Sequence, residues 1–294
     1  MIVLGESGMS GLITLTTDFG LNDAYVAAMK GVILDINPEA KIVDICHNIA
    51  PQNIPQAAFV LSTAYQFFPK KTVHMVVVDP GVGSQRQAII LRTPLACFVA
   101  PDNGVLSYVI QPYLEDRLDP GPGRLAGSDR LVEVTLSREV EAVAITNSRF
   151  FRSPVSPTFH GRDIFAPVAA ALTMGFPAIE FGQRLTSVAM LPLSRPNKRP
   201  DGSLVGYILH IDNFGNLITD IKGDDLPPPD EVTVEVGGQL ISRLSGTYAD
   251  GSGLLAVIGS SGYLEIALKG GMASSLLGAR IGDEVTVRPV SIKG

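Results

Sequence analysis

The sequence has few of the features that mark whole classes of protein. Only two of its 294 residues are cysteines, Cys46 and Cys97; both sit in apolar surroundings without CxxC spacing and read as reduced core thiols of a cytoplasmic protein. No run of Lys and Arg occurs, and a formal net charge of −6 argues against a general nucleic-acid surface. No apolar run approaches the length of a membrane span, and the start MIVLGESGMSG has neither the basic residues nor the apolar stretch of a signal peptide. The four histidines show no recognisable ligand spacing with the carboxylates, so no metal is expected. No internal repeat links the two halves.

What remains is 46% hydrophobic and 18% charged, enough to bury a large core in two domains. The expected fold class is α/β: an N-terminal α/β domain with a mainly parallel sheet over residues 1–191, a linker over 192–202, and a smaller all-β, barrel-like C-terminal domain over 203–294. Residues 12–16 predict a first strand, 24–36 a helix, 41–46 a second strand, 57–67 a helix and 73–78 a third strand. That β-α-β-α-β order implies right-handed crossovers. Residues 88–91 and 97–100 predict a hairpin, 131–136 and 142–146 further strands, and 164–174 an apolar helix; the Gly- and Pro-rich stretch 112–130 reads as a surface loop.

The central stretch is VVVDPGVGSQR, residues 76–86. A buried β-branched run stops there at Asp79, turns sharply through Pro80, Gly81 and Gly83, and meets Arg86 close enough to fold back beside Asp79. An isolated D-P-G would be an ordinary turn, but a loop leaving the carboxyl end of a strand in an open α/β sheet is where ligands sit. In TTDFGLNDAY, Asp18 follows the first strand, where a carboxylate can accept two hydrogen bonds from a ribose diol; Asp23 stands where it would cap the helix. The DFG triplet has no kinase context. Asp102 and Asn103 read as turn residues. Among the histidines, His47, His74 and His210 lie within or beside strands and read as structural, whereas His160 stands at the mouth of a helix with Asp163 as its expected cap.

Beyond residue 202, strands are expected at 204–211, 232–236, 254–258, 264–267 and 284–290. Two polar loops interrupt them. Residues 210–221 gather Asp212, Asn213 and Asn216 around Gly215, and residues 259–267 present Ser260 and Ser261 beside Gly262.

Taken together, TTDFGLNDAYV, VVVDPGVGSQR, APDNGVLS, FHGRDIFAP, IDNFGNLIT and GSSGYLEIA resemble the S-adenosyl-L-methionine (SAM) hydroxide adenosyltransferases, or SAM hydrolases, relatives of the fluorinating and chlorinating enzymes. The resemblance implies a homotrimer, an active site between the N-terminal domain of one subunit and the C-terminal domain of the next, and conversion of SAM and water to adenosine and L-methionine. It assigns Asp79, Arg86 and His160 to the handling of water, Asp18 to the ribose hydroxyls, Asp23 to the methionine end and Phe159 to the adenosine wall. It also assigns Asp212 to the methionine amino group, Asn216 to the adenine edge, and Ser260 with Ser261 to the methionine carboxylate. The halogenating relatives carry an aromatic or small residue in place of Asp79, and the fluorinating one has Arg in place of Ser261 and Trp in place of Gln52. Rival readings are a chloride-using halogenase, a non-catalytic SAM or adenosine-binding protein, and a metal hydrolase built on Asp18, Asp23, Asp79 and His160.

Overall fold

The computed structural model describes residues 11–115 and 131–289. Readings for residues 1–10, for 116–130 of the Gly- and Pro-rich stretch and for the last residue of the final strand lie outside the described residues. The chain forms two compact units that divide between Leu191 and Pro192.

The first unit begins with β1 (Leu12–Thr17), α1 (Tyr25–Ile36), β2 (Lys41–Cys46), α2 (Ile54–Ala64) and β3 (Val73–Val77). Next come β4 (Ala88–Arg92), β5 (Cys97–Pro101), the short α3 (Ser107–Ile110), β6 (Val132–Thr135), β7 (Glu141–Ala144), α4 (Ala166–Thr173), β8 (Arg184–Leu185) and β9 (Ser187–Met190). Seven of these strands form one sheet in the order β2-β1-β3-β5-β4-β7-β8, and β6 pairs with β9 apart from it. Pairings β1/β2, β1/β3 and β3/β5 are parallel, while β4, β7 and β8 extend the sheet antiparallel.

Strands β1 and β3 are buried on both faces, which is why they read as unbroken apolar or β-branched runs. The chain leaves β1 toward β2 and returns past it to β3, so right-handed crossovers put α1 and α2 on opposite faces. Helix α1 buries Val26, Met29 and Ile33, one stripe of a 3.6-residue period, and Met29 and Ile33 share a core with Ile13, Leu15, Met75 and Val77. Helix α4 is buried all round; Ala166, Ala169, Ala170 and Ala171 let it pack closely in that core. His74 is enclosed by Tyr65, Phe68 and Phe98, shares a hydrogen bond of 2.7 Å with Thr14 through Nδ1, and is driven by burial down to a pKa of about 4. It is a neutral core residue.

Three sequence expectations shift here. Helix α2 starts at Ile54, because the Asn53 side chain accepts the Gln56 amide and Pro55 occupies the first turn, where its missing N–H is harmless. Asp23 does not cap α1: the N-cap is Ala24, with no side-chain cap, and Asp23 lies in the exposed turn before it. Asp163 does not cap α4 either; it lies inside a π-helical turn, Gly161–Phe165, that runs straight into α4.

The second unit comprises β10 (Asn197–Lys198), β11 (Leu204–Ile211), β12 (Leu217–Lys222), β13 (Val232–Val236), β14 (Gln239–Ile241), β15 (Leu244–Ser245), β16 (Leu254–Ile258), β17 (Tyr263–Leu268), α5 (Ala273–Leu277) and β18 (Glu284–Pro289). The order β14-β13-β18-β11-β12-β17-β16-β15, with β14 returning against β16, curls the sheet into a nearly closed barrel. Its core holds Ile208, Leu217, Val234, Leu264, Ile266, Val285 and Val287. The stretch read as a linker contributes β10, which pairs with β11. Residues 210–221, read as a polar loop, are mostly strand: β11 and β12 form a hairpin whose only turn is the Asp212–Asn216 tip.

Candidate active site

Strand order reverses between β1 and β3, so the loops at their carboxyl ends lie side by side, the usual ligand position in such sheets. A cleft of about 360 Å³ opens there, lined by Asp18, Phe19, Tyr25, Gln52, Asp79, Phe159 and His160 among others.

On the β3 side the chain folds back as its glycines allow. A Cβ on Gly83, at φ +77°, would stand 2.6 Å from the Pro157 carbonyl oxygen, and one on Gly81 would press on the Arg86 side chain. Arg86 then reaches Asp79: its Nε donates to Oδ1 at 2.8 Å and Oδ2 at 3.0 Å, and Nη2 also bonds Oδ2. Nη2 stands 3.0 Å from Nδ1 of His160 as well. The guanidinium lies over the ring of Phe165, 5.3 Å from its centroid, and only 11% of the Arg86 side chain and 5% of that of Asp79 are exposed. A buried ion pair resting on an aromatic face is therefore joined to an imidazole that faces the cleft.

The protonation of that imidazole follows from its neighbours. Burial holds the His160 pKa below its usual value and the Arg86 charge pushes it further down, while Asp79 and Asp163 partly oppose this. A guanidinium only donates, so Nδ1 must accept and the neutral ring carries its hydrogen on Nε2. Asn103, expected in a turn, is buried: it donates to the Val78 carbonyl at 2.9 Å and so braces the strand end that presents Asp79. The Asp102 carboxylate accepts the Ala189 amide.

On the β1 side, Asp18 lines the cleft and accepts the Gln52 backbone amide at 2.7 Å through Oδ2. Phe159 packs edge to face on Phe19 and Tyr25, its ring centroid 5.8 and 5.3 Å from theirs. Asp23 is not among the residues lining the cleft. Within this unit, then, Asp18, Asp79, Phe159 and His160 converge, with Arg86 directly behind Asp79.

In the second unit, Asp212 organises the hairpin tip: Oδ1 accepts the amides of Phe214 and Asn216, and Oδ2 accepts Asn216 Nδ2 at 2.9 Å. Gly215, at φ +77°, is required there, since a Cβ would collide with Met272. Ser260 and Ser261 are exposed in the turn before β17, their hydroxyls unpaired among the described residues. Because β12 runs antiparallel to β17, the Asp212–Asn216 tip and the serine turn lie at opposite ends of β17. Residues that the sequence reading passed over join the two. The Phe214 ring is 73% exposed beside Asn216. Glu265, only 6% exposed on β17, accepts the Tyr248 hydroxyl at 2.6 Å; burial raises its pKa, and the Asp212 charge adds to the rise. A strand-borne Glu in a run of apolar residues is the one signal that pointed to it.

Among the described residues no group of three or more His, Cys, Asp or Glu side chains is placed to hold a metal ion, and no helix is long and apolar enough to cross a membrane.

Comparison with known proteins finds two family models. That of the SAM hydroxide adenosyltransferase N-terminal domain matches residues 13–118 and 127–182, and that of the C-terminal domain matches residues 206–286. An (R)-S-adenosyl-L-methionine hydrolase of Salinispora tropica is 35% identical over 94% of this chain and 97% of its own length. A fluorinase of Nocardia brasiliensis is 27% identical over 89% of this chain and 91% of its own length. Among solved structures, an uncharacterized conserved protein from Thermotoga maritima superposes with a TM-score of 0.80 at 38% identity, covering 94% of this chain and 99% of that one.

Proposed function

The chain belongs to the SAM hydroxide adenosyltransferase family, and from that membership we propose that it hydrolyses SAM to adenosine and L-methionine by attack of water at the ribose C5′ carbon. One observation above all supports this: Asp79, Arg86 and His160 are hydrogen-bonded into a single group beside a cleft that also carries Asp18 and Phe159.

The chemistry asks little of the protein. A sulfonium is already a good leaving group, so displacement needs an oxygen nucleophile held in line behind C5′. Full deprotonation of water by an ordinary carboxylate would face about 12 pKa units, or about 16 kcal/mol. That gap closes if the proton leaves only as the bond forms. The Nε2 hydrogen of His160 orients the water, Arg86 stabilises the negative charge developing on its oxygen, and Asp79 takes the proton as the C5′–O bond forms and the C5′–S pair returns to sulfur. Asp18 binds the ribose hydroxyls, Phe159 walls the nucleoside, and Asp23 faces the methionine end.

We further propose that a homotrimer completes the site with Asp212, Asn216, Ser260 and Ser261 of a neighbouring copy. There Asn216 meets the adenine edge, Asp212 the methionine amino group, and Ser260 with Ser261 the methionine carboxylate. Mixing inactive Asp79→Ala subunits with inactive Asp212→Ala subunits should restore activity that neither has alone, and mixed trimers without activity would contradict the arrangement.

The neutral His160 also sets a pH dependence. Protonation would place a second positive charge against Arg86, so kcat/KM should be full above the lowered pKa and fall as pH drops through it. A pH–rate profile should show an acid limb whose apparent pKa lies below about 6.5, the ordinary value for His, and a limb above it would contradict the tautomer inferred here.

Incubation of the purified protein with SAM should release adenosine and methionine in equal amounts. A 5′-chloro nucleoside, or SAM bound without product, would overturn the hydrolytic reading.

A further inference from the structure

Phe159 and Arg162, in contact with each other, line two different cavities. The Phe159 ring lines the cleft with Phe19 and Tyr25. Arg162 does not line that cleft; it lines a second groove, of about 800 Å³, together with Val32, Ile36, Phe151 and Met174. Its guanidinium carbon is 5.1 Å from the centroid of the Phe159 ring. The edge contacts of the ring with Phe19 and Tyr25 are worth about 1 kcal/mol each, too little to fix it alone.

Arg162 is itself fixed. Its Nε donates to Asp163 Oδ1 at 2.7 Å and its Nη2 to Oδ2 at 2.8 Å, a fork on a carboxylate that is fully buried. Asp163 also accepts the Ser156 amide at 2.9 Å through Oδ2 and the Arg152 amide at 2.9 Å through its carbonyl, which ties down the segment leading to Phe159 and His160.

We propose that Arg162 is a specificity-determining positioning residue: it backs the Phe159 ring and so holds the cleft to the width of a purine nucleoside. This rests on the reading of the cleft as an adenosine site. A role in stability alone would need only a cation for Asp163, which Lys supplies; a role as a backstop needs a flat group lying on the ring, which Lys lacks.

The test is Arg162→Lys, with KM and kcat for SAM measured beside direct titration with adenosine. KM and the adenosine dissociation constant should each rise about tenfold while kcat stays within about twofold. Unchanged adenosine affinity in the folded variant would overturn the proposal, as would a fall in kcat at constant KM. Should Arg162→Lys not fold, Arg162→Ala combined with Asp163→Asn, which removes the ring's backing together with the charge that would be left buried, takes its place under the same criteria. Wild-type protein that binds adenosine but does not turn over SAM would sink the hydrolase reading and leave the titration as a valid test of Arg162.

Discussion

Asp79→Ala should lower kcat by about 10³-fold while leaving KM for SAM within about threefold. The carboxylate neutralises the buried Arg86 guanidinium, and in the proposed mechanism it also takes the proton of the attacking water. Neither is a contact with bound substrate, so ground-state binding should survive. The Ala variant also leaves Arg86 without its counter-charge, a loss of about 3–5 kcal/mol when one partner of a buried pair is removed. Asp79→Asn keeps the volume and one acceptor for Arg86 but loses both the charge and the proton acceptor, so it should be destabilised less than Asp79→Ala and turn over as poorly. A large loss of SAM affinity with normal turnover in either variant would contradict the role given to this residue.

Asp18→Ala should do the reverse, raising KM by about 10²-fold with kcat changed by less than about fivefold. Hydrogen bonds to a charged group contribute about 1.5–3 kcal/mol each, and a diol makes two, part of which water returns in the variant. The Gln52 amide pins Oδ2, so the carboxylate is held in place before ligand arrives and little ordering is needed on binding. Calorimetric titration with adenosine gives the same answer without turnover. An Asp18→Ala protein that bound adenosine as tightly as the wild type would remove the ribose from this end of the cleft.

How far such roles are legible in the sequence depends on the range of the forces behind them. The run into Asp79 and the turn to Arg86 are local: buried β-branched residues make the strand, and Pro80, Gly81 and Gly83 force the reversal. The hairpin of β4 and β5 and the amphipathic stripe of α1 are local too. Expectations failed where a polar side chain had a competing partner. Asp163 reads as a helix cap, yet the adjacent Arg162 and the Ser156 amide claim both of its oxygens inside a π-turn that no periodicity announces. In α2, the polar look of residues 47–56 hides a start built from Asn53 and Pro55. The strand β12 was absorbed into a polar loop because Asp212, Asn213 and Asn216 stand directly before it. Nothing local marks Arg162, since its significance depends on a groove formed by α1, α4 and residues 149–152.

The account turns on which bond is made. Reaction of the protein with SAM in water enriched in oxygen-18, followed by mass analysis of both products, reports this directly. One heavy oxygen in the 5′-hydroxyl of adenosine and none in methionine is the expected result. Label in the methionine fragment, or adenosine free of label, would mean that water does not attack C5′ and that Asp79, Arg86 and His160 serve some other chemistry.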